Sequence, residues 1–168
     1  TEKVFDNPEF EVSGANTKEM NYSWEYFVNE LHYVDDFIGN LVKQLEARDE
    51  ETILVLWGDH LPTMGLEDTD MVSGSTFKTR YVTWNNMNLP KNDMDLTAYQ
   101  LLAYITGQVD IHKGTIFKYH QDYLNAGYSN NDETYLSGLE NLQYDLLYGN
   151  RYFYHGEELH PASDLVLG

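Results

Sequence analysis

Residues 52–60 read Thr-Ile-Leu-Val-Leu-Trp-Gly-Asp-His. Because the apolar run is too short for a helix and contains β-branched residues, it predicts a buried strand. Gly58 is expected to end this strand by freeing the backbone to turn. Asp59 and His60 would then lie at the carboxyl edge of the strand, which is where ligands bind in open α/β sheets. A carboxylate beside an imidazole offers oxygen and nitrogen donors to a divalent metal, so this pair is the candidate metal site.

The apolar residues upstream of this strand recur three or four positions apart, as one face of a helix requires. They predict a helix over residues 26–45 and are Phe27, Leu31, Val34, Ile38, Leu41 and Leu45. A helix, a short loop and a strand in this order predict a crossover unit, in which the helix covers one face of a parallel sheet. Residues 61–75 are rich in acidic residues and lack periodicity, which predicts a loop.

A second strand and a second helix are predicted after this loop. Residues 80–84 have strand character, and beyond Pro90 either Asp93 or Asp95 can cap a helix that ends just before Gly107. The core face of this helix is predicted to consist of Ala98, Leu101, Leu102 and Ile105. The rest of the chain is predicted to form short helices over residues 116–124 and 136–147 and an edge strand over residues 151–155.

These elements predict an α/β fold with a mixed or parallel sheet flanked by helices and a small α+β carboxyl-terminal region. Three segments are expected: an irregular segment over residues 1–21, an α/β core segment over residues 22–110, and a helical and edge-strand region over residues 111–168.

The charge of the chain limits its partners. With 28 acidic and 10 basic residues among 168, the formal net charge is -18. Such a chain repels phosphate backbones, so nucleic acid and anionic lipid surfaces are not expected as direct partners. The absence of cysteine excludes disulfides, thiolate zinc sites and a cysteine nucleophile. The sequence contains no apolar stretch long enough to cross a bilayer, so the chain as given is predicted to be soluble.

The predicted metal site is incomplete, because a catalytic metal usually has three or more protein ligands and one open position. The other histidines show no His-x-x-x-His pairing, and the chain contains neither a Gly-x-Ser-x-Gly elbow nor a phosphate-binding Gly-rich loop. Glu67, Asp68 and Asp70 lack the spacing of a calcium loop, which favours a hydrated acidic loop. Taken alone, the chain is predicted to hold half of an active site.

Residues 33–38, with the sequence Tyr-Val-Asp-Asp-Phe-Ile, and the strand ending in Gly-Asp-His resemble the sulfatase branch of the alkaline phosphatase superfamily. The likeness is greatest to the lipoteichoic acid synthase-like proteins. Residues 78–86 resemble the family's strand before its substrate-side loop, and residues 95–102 resemble the helix after it. Residues 142–149 are similar to the ending of the synthase-like sulfatases of Gram-positive bacteria. The resemblance covers the chain from about Tyr22 onwards.

This resemblance implies that the chain is the carboxyl-terminal part of a membrane-anchored enzyme whose catalytic domain lies on the extracellular face of the cytoplasmic membrane. In that family an upstream threonine or serine is the nucleophile and an upstream acidic residue is a further metal ligand. Only the Asp-His pair maps onto this chain, at Asp59 and His60. The implied partners are the amino-terminal part of the same enzyme domain and a phospholipid head group or anionic polymer as substrate.

The resemblance further implies Mn²⁺ as the metal, with Zn²⁺, Mg²⁺ and Ca²⁺ as alternatives. Since the chain lacks the nucleophile, we expect it to bind metal weakly and to be inactive by itself. A truncated sheet would also leave an apolar edge or face exposed, which favours self-association.

Three alternative interpretations remain. The Gly-Asp-His turn could be a strand-ending aspartate with a hydrogen-bonded histidine and no metal. The fourteen tyrosines and three tryptophans could form a non-catalytic module that binds carbohydrate or protein through exposed aromatic rings. Asp59 and His60 could also act as orienter and base of a hydrolase triad, although neighbouring residues are poorly placed for that alignment.

Overall fold

The structure is a computed structural model that describes residues 2–62, 64–152 and 155. The chain forms two compact units, which we call the amino-terminal unit, up to Pro90, and the carboxyl-terminal unit, from Lys91 onwards. Their helices and strands, in chain order, are α1 (Lys18–Glu46), β1 (Ile53–Trp57), β2 (Tyr81–Asn85), α2 (Ala98–Gly107), α3 (Thr115–Asn125) and α4 (Glu133–Leu147). A short 3₁₀ turn, Asp68–Asp70, lies between the strands. The predicted mixture of helices and strands is confirmed.

Helix α1 is longer than the sequence predicts. It begins at Lys18 because Thr17 accepts a hydrogen bond from the backbone N–H of Met20, at 3.1 Å, which caps the helix. The predicted helix over residues 26–45 is therefore confirmed, and its start lies within the segment that was expected to be irregular. Its predicted apolar face is only partly covered, since Leu31 and Val34 are half exposed.

The segment before α1 is held to the helix by two buried polar side chains. Asn29 accepts a hydrogen bond from the backbone N–H of Phe10 at 3.1 Å and donates one to the carbonyl oxygen of the same residue at 2.9 Å. The carboxylate of Glu25 accepts a hydrogen bond from the backbone N–H of Val12 at 3.4 Å. Asn29 thus satisfies both backbone groups of Phe10, as a neighbouring strand would.

The two strands form an antiparallel pair in which Ile53 lies opposite Asn85 and Trp57 lies opposite Tyr81. The predicted parallel pairing is not confirmed, since the two described strands are antiparallel. A parallel connection needs a crossover element between the strands, and here α1 precedes β1 while only the 3₁₀ turn lies between β1 and β2. The positions of both strands agree with the sequence prediction to within one residue.

Helix α2 begins at a different cap from those predicted. Thr97, rather than Asp93 or Asp95, is the N-cap residue, and its backbone N–H donates to Oε1 of Gln100 at 3.0 Å. Gln100 thereby acts as the N3 partner of a capping arrangement, which aspartate at the earlier positions could not form with it. Gly107 is the last helical residue, with Gln108 as the C-cap.

The core of the carboxyl-terminal unit combines apolar and polar side chains. Its buried residues are Ala103, Ile105, Tyr135, Gln100, His120 and Gln121. The hydroxyl of Tyr135, in the first turn of α4, accepts a hydrogen bond from Nε2 of Gln100 at 3.0 Å and lies 2.7 Å from Nδ1 of His120. This hydroxyl therefore joins α2, α3 and α4 at one point.

The hydroxyl of Tyr135 can bind His120 in either direction. Besides the lone pair that accepts from the amide of Gln100, the hydroxyl has a second lone pair and its own hydrogen, so it can accept from Nδ1–H or donate to an unprotonated Nδ1. Burial lowers the pKa of His120 below its ordinary value, which favours the neutral ring.

The predicted helices over residues 116–124 and 136–147 are confirmed as α3 and α4. The predicted edge strand over residues 151–155 includes Phe153 and Tyr154, which lie outside the described residues, and Arg151 and Tyr152 do not belong to a strand. Among the described residues, none of the helices is long and apolar enough to span a membrane.

Candidate functional site

The candidate site begins where β1 meets the segment that leads into β2. Beyond the last paired residues, Trp57 and Tyr81, the backbone N–H of Gly58 donates to the carbonyl oxygen of Arg80 at 3.1 Å. The carbonyl oxygen of Gly58 accepts a hydrogen bond from the hydroxyl of Thr79 at 2.7 Å. Both backbone polar groups of Gly58 are therefore bound by the neighbouring segment.

A close approach, rather than the predicted turn, favours glycine at position 58. Gly58 does not have a positive φ, so the freedom of glycine to turn is not what the backbone uses there. A Cβ atom at this position would instead lie 3.2 Å from Cβ of Thr79. The absence of a side chain allows the two segments to approach closely enough for the hydroxyl of Thr79 to reach the Gly58 carbonyl.

Asp59 and His60 follow immediately, and the structure brings their side chains together. Oδ1 of Asp59 accepts a hydrogen bond from the backbone N–H of His60 at 2.8 Å, which orients the carboxylate. Its Oδ2 lies 3.6 Å from Nε2 of His60, and the two side chains are 80% and 73% exposed, respectively. The pair faces solvent, where a ligand can reach it.

The ring of His60 is oriented by its neighbour in the chain. Nδ1 lies 3.0 Å from the carbonyl oxygen of Leu61. Since a carbonyl oxygen only accepts, Nδ1 must donate, and in the neutral ring Nε2 then carries the free lone pair. Metal-bound histidines commonly donate their second ring N–H to a backbone carbonyl in this way. The nitrogen that remains free is the one that faces Asp59.

The distance between the two donors is compatible with a shared cation. Two ligands that each lie about 2.1 Å from one ion at a tetrahedral angle are about 3.4 Å apart. The separation of 3.6 Å between Oδ2 of Asp59 and Nε2 of His60 is close to this value. In the described part of the chain, no group of three or more His, Asp or Glu side chains could hold a metal ion. The pair fits two ligand positions of a metal site.

A second aspartate and histidine have a similar separation in the carboxyl-terminal unit. Oδ1 of Asp110 lies 3.6 Å from Nε2 of His112, whose Nδ1 lies 2.7 Å from Oε1 of Gln121. The side chain of Asp110 is fully exposed and follows a backbone with φ of +56°. The distance alone therefore does not distinguish Asp59 and His60. They differ by their position at the end of β1 and by the backbone hydrogen bond that holds the Asp59 carboxylate.

The acidic loop between the strands uses its carboxylates to form turns. Oδ1 of Asp68 accepts hydrogen bonds from the backbone N–H and the hydroxyl of Thr76, at 2.6 and 2.9 Å, and these bonds lower the pKa of Asp68. Oδ2 of Asp70 accepts from the backbone N–H of Glu67 at 2.8 Å. These local bonds favour the interpretation of a solvated acidic loop over a calcium loop.

Sequence reasoning missed Thr79. A single threonine two residues before a strand has no periodicity or spacing that distinguishes it from other loop hydroxyls. Its contact with Gly58 depends on the antiparallel pairing, because only that pairing places the start of β2 beside the end of β1.

The family of the chain was identified by comparison with known proteins. A family model described as Sulfatase matches residues 5–111, which is more than half of the chain. The match includes α1, both strands and the Asp59–His60 pair, and it ends before His112. Neither the search of curated proteins nor that of solved structures found a match. On the family match, the chain belongs to the sulfatase family.

Proposed function

We propose that this chain supplies part of the divalent-metal site of a sulfatase-type esterase or phosphotransferase, with Asp59 and His60 as two of the ligands. The observation that carries this proposal is the Asp59 carboxylate at the exposed end of β1, which the backbone N–H of His60 holds at 2.8 Å while its Oδ2 lies 3.6 Å from Nε2 of His60. Membership of the sulfatase family supports the reaction class, which is ester hydrolysis or group transfer.

Each residue has a distinct role in this proposal. Asp59 would provide negative charge next to a bound cation, and His60 would provide the Nε2 lone pair of a ring that the carbonyl of Leu61 orients. A bound divalent cation would supply positive charge beside the ester oxygens and the nucleophile. Mn²⁺ is the proposed ion, with Zn²⁺, Mg²⁺ and Ca²⁺ as alternatives. The nucleophile and the remaining ligands would come from another segment of the enzyme.

The amino-terminal unit gives an independent reason to expect such a segment. Among its described residues, those that are buried are both polar, Glu25 and Asn29, whereas Phe37, Trp57 and Val82 are exposed. An isolated two-stranded sheet is at best marginally stable in water. We propose that the amino-terminal part of the same enzyme domain covers these apolar side chains, and that the chain self-associates through them when that part is missing.

The proposed enzyme is of the lipoteichoic acid synthase-like type, anchored in the cytoplasmic membrane with its catalytic domain outside the cell. The support is the resemblance of residues 33–38, 53–60 and 142–149 to that group. Its substrate would be a phospholipid head group such as phosphoglycerol, or a related phosphate or sulfate ester.

The first experiment is a titration of the chain with Mn²⁺, followed by NMR. Because Mn²⁺ broadens the signals of nearby nuclei, the resonances of Asp59 and His60 should be lost at lower Mn²⁺ concentrations than those of Asp110 and His112. The second pair is the matched control, since its donors are also 3.6 Å apart. Equal broadening at both pairs would mean that any exposed aspartate and histidine bind the ion, and it would contradict the proposal. Saturable binding of oligosaccharide without metal would favour the aromatic binding module instead.

The second experiment uses the intact enzyme that contains this segment. Asp59→Asn retains the size of the side chain but removes its charge, so we expect metal-dependent hydrolysis of an aryl sulfate or turnover of phosphatidylglycerol to be abolished. The loss should be at least about a hundredfold, because a ligand to a catalytic metal acts directly on the transition state. Asp110→Asn is the control and should remain active. Unchanged turnover in the Asp59→Asn enzyme would reject the assignment.

A further inference from the structure

The peptide bond between Gly58 and Asp59 connects β1 to the proposed metal site. Its carbonyl oxygen belongs to Gly58 and its nitrogen to Asp59, and because the peptide unit is planar, the orientation of this plane sets where the Cα of Asp59 lies. The side chain of Asp59 begins at that Cα. A contact that holds this carbonyl therefore also holds the point from which the carboxylate extends.

Because residue 58 is glycine, its backbone can take many conformations unless hydrogen bonds restrain it. Gly58 has no Cβ and can rotate more widely than any other residue, and it is exposed. Its N–H is held by the carbonyl of Arg80, at 3.1 Å, which continues the strand ladder by one step. The ladder does not supply a donor for the Gly58 carbonyl, which instead accepts the hydroxyl hydrogen of Thr79 at 2.7 Å.

We propose that Thr79 is a positioning residue for the metal site, because its hydroxyl holds the peptide plane that places the Cα of Asp59. The proposal rests on the proposed function of Asp59 and His60 as metal ligands. Thr79 itself does not touch the ion; it acts through the Gly58 carbonyl. A Cβ added at position 58 would lie 3.2 Å from Cβ of Thr79, so the absence of a side chain at Gly58 leaves room for Thr79 to approach.

The test compares three substitutions by the same Mn²⁺ titration and NMR readout. Thr79→Val keeps the shape of the side chain but removes the hydroxyl, and it should raise the Mn²⁺ concentration that half-broadens His60 by about two- to tenfold, which is the effect of one hydrogen bond. Thr79→Ser keeps the hydroxyl and should restore the wild-type midpoint. Thr83→Val removes the hydroxyl of an exposed threonine of β2 and should have no effect.

The amide signals of Leu54 and Trp84, which pair in the sheet and are unchanged in every variant, report whether the hairpin, meaning the β1–β2 pair, is intact. If the hairpin is intact, a shifted midpoint in Thr79→Val with a normal one in Thr79→Ser supports the positioning role. Equal midpoints in the wild type, Thr79→Val and Thr79→Ser overturn it while leaving the metal site standing. Absence of selective broadening at Asp59 and His60 in the wild type overturns the proposed metal site, and the role of Thr79 with it.

Discussion

The two units of this protein bury different kinds of side chain. The carboxyl-terminal unit encloses Tyr135 and Ala103 together with three polar residues whose hydrogen bonds are satisfied within the unit. The described part of the amino-terminal unit buries only Glu25 and Asn29, which are both polar. Both units leave large apolar side chains exposed, such as Phe37 in the first and Leu102 in the second, so the buried residues are what distinguish them. A unit with buried apolar side chains gains stability from them, and the proposed metal ligands lie in the unit that has none among its described residues.

The largest effect expected in this comparison comes from Tyr135→Phe. Removing the hydroxyl leaves Nδ1 of His120 and Nε2 of Gln100 buried without their shared partner. We expect a loss of about 1–3 kcal/mol in the free energy of unfolding of the carboxyl-terminal unit, measured by amide hydrogen exchange at Ala103. Tyr33→Phe is the control in the other unit, where the side chain is 54% exposed, and its effect should stay within about 0.5 kcal/mol. Equal effects would show that the polar core is not what stabilises this unit.

A change of pH should alter the free energy of unfolding of the carboxyl-terminal unit by a smaller amount, through His120. Burial lowers the pKa of His120 in the folded state, so the unfolded chain binds more protons near and below the ordinary histidine pKa of about 6.5. The stability that this residue contributes is therefore present above that pH and is lost as the pH falls through the folded-state pKa. One proton cannot give a slope above about 1.4 kcal/mol per pH unit.

The check is the pH dependence of amide exchange at Ala103 in the wild type and in His120→Phe, which cannot titrate at this position. The variant should be less stable overall, because the hydroxyl of Tyr135 loses its hydrogen-bond partner on His120. Its stability should also fall less steeply between pH 7 and pH 5. Parallel curves for the two proteins would exclude His120 as the cause of the pH dependence.

The smallest changes in stability should come from replacing two helical glycines, Gly39 and Gly138, by alanine, because their surroundings differ. Gly39 in α1 has no atom within 4 Å of the position a Cβ would take, so Gly39→Ala should stabilise the protein by about 0.5–1 kcal/mol through helix propensity. In α4 the Cβ of an alanine at position 138 would lie only 1.9 Å from the hydroxyl of Tyr119. That hydroxyl donates to the carbonyl of Tyr135 at 2.8 Å, so the clash should outweigh the gain in propensity by about 1 kcal/mol.

Thermal or urea unfolding of the two alanine variants, followed by circular dichroism, gives both values. Stabilisation by both substitutions would mean that Tyr119 moves aside without cost. Its packing against α4 would then contribute little to the carboxyl-terminal unit.

Apolar periodicity was sufficient to predict most helices and strands. The spacing of Phe27, Leu31 and Ile38 predicted α1, and the β-branched run before Gly58 predicted β1 to within a residue. The direction of strand pairing could not be predicted in this way, since it depends on the connection between the strands. That connection carries only a 3₁₀ turn, which has no apolar pattern.

The core face of α2 was predicted only in part, because burial of a polar residue depends on tertiary partners. The apolar pattern placed Ala98 and Leu102 towards the core, whereas the structure exposes both and buries Gln100 and Ala103. Gln100 is buried because Thr97 and Tyr135 satisfy its amide, and those partners are known only from the tertiary structure.

For the candidate site, the sequence predicted the neighbouring pair Asp59 and His60 but not the contacts that orient them. The carbonyl of Leu61 follows directly in the chain, yet its hydrogen bond to the His60 ring depends on the local backbone angles. The hydroxyl that binds the carbonyl of Gly58 belongs to Thr79, which lies 21 positions after Gly58 in the chain. Both hydrogen bonds depend on backbone angles and strand pairing, which the pattern of residue types in one sequence does not reveal.

The two hydrogen bonds between Asn29 and the backbone of Phe10 limit where the protein can be truncated. A version trimmed to the start of α1 would leave the amide of Asn29 without the two main-chain groups it now serves, and the carboxylate of Glu25 without the N–H of Val12. The segment before α1 is therefore part of the folded structure, because it binds two buried side chains of the helix. Expression boundaries should be drawn upstream of Phe10 if the long helix is to keep its native surroundings.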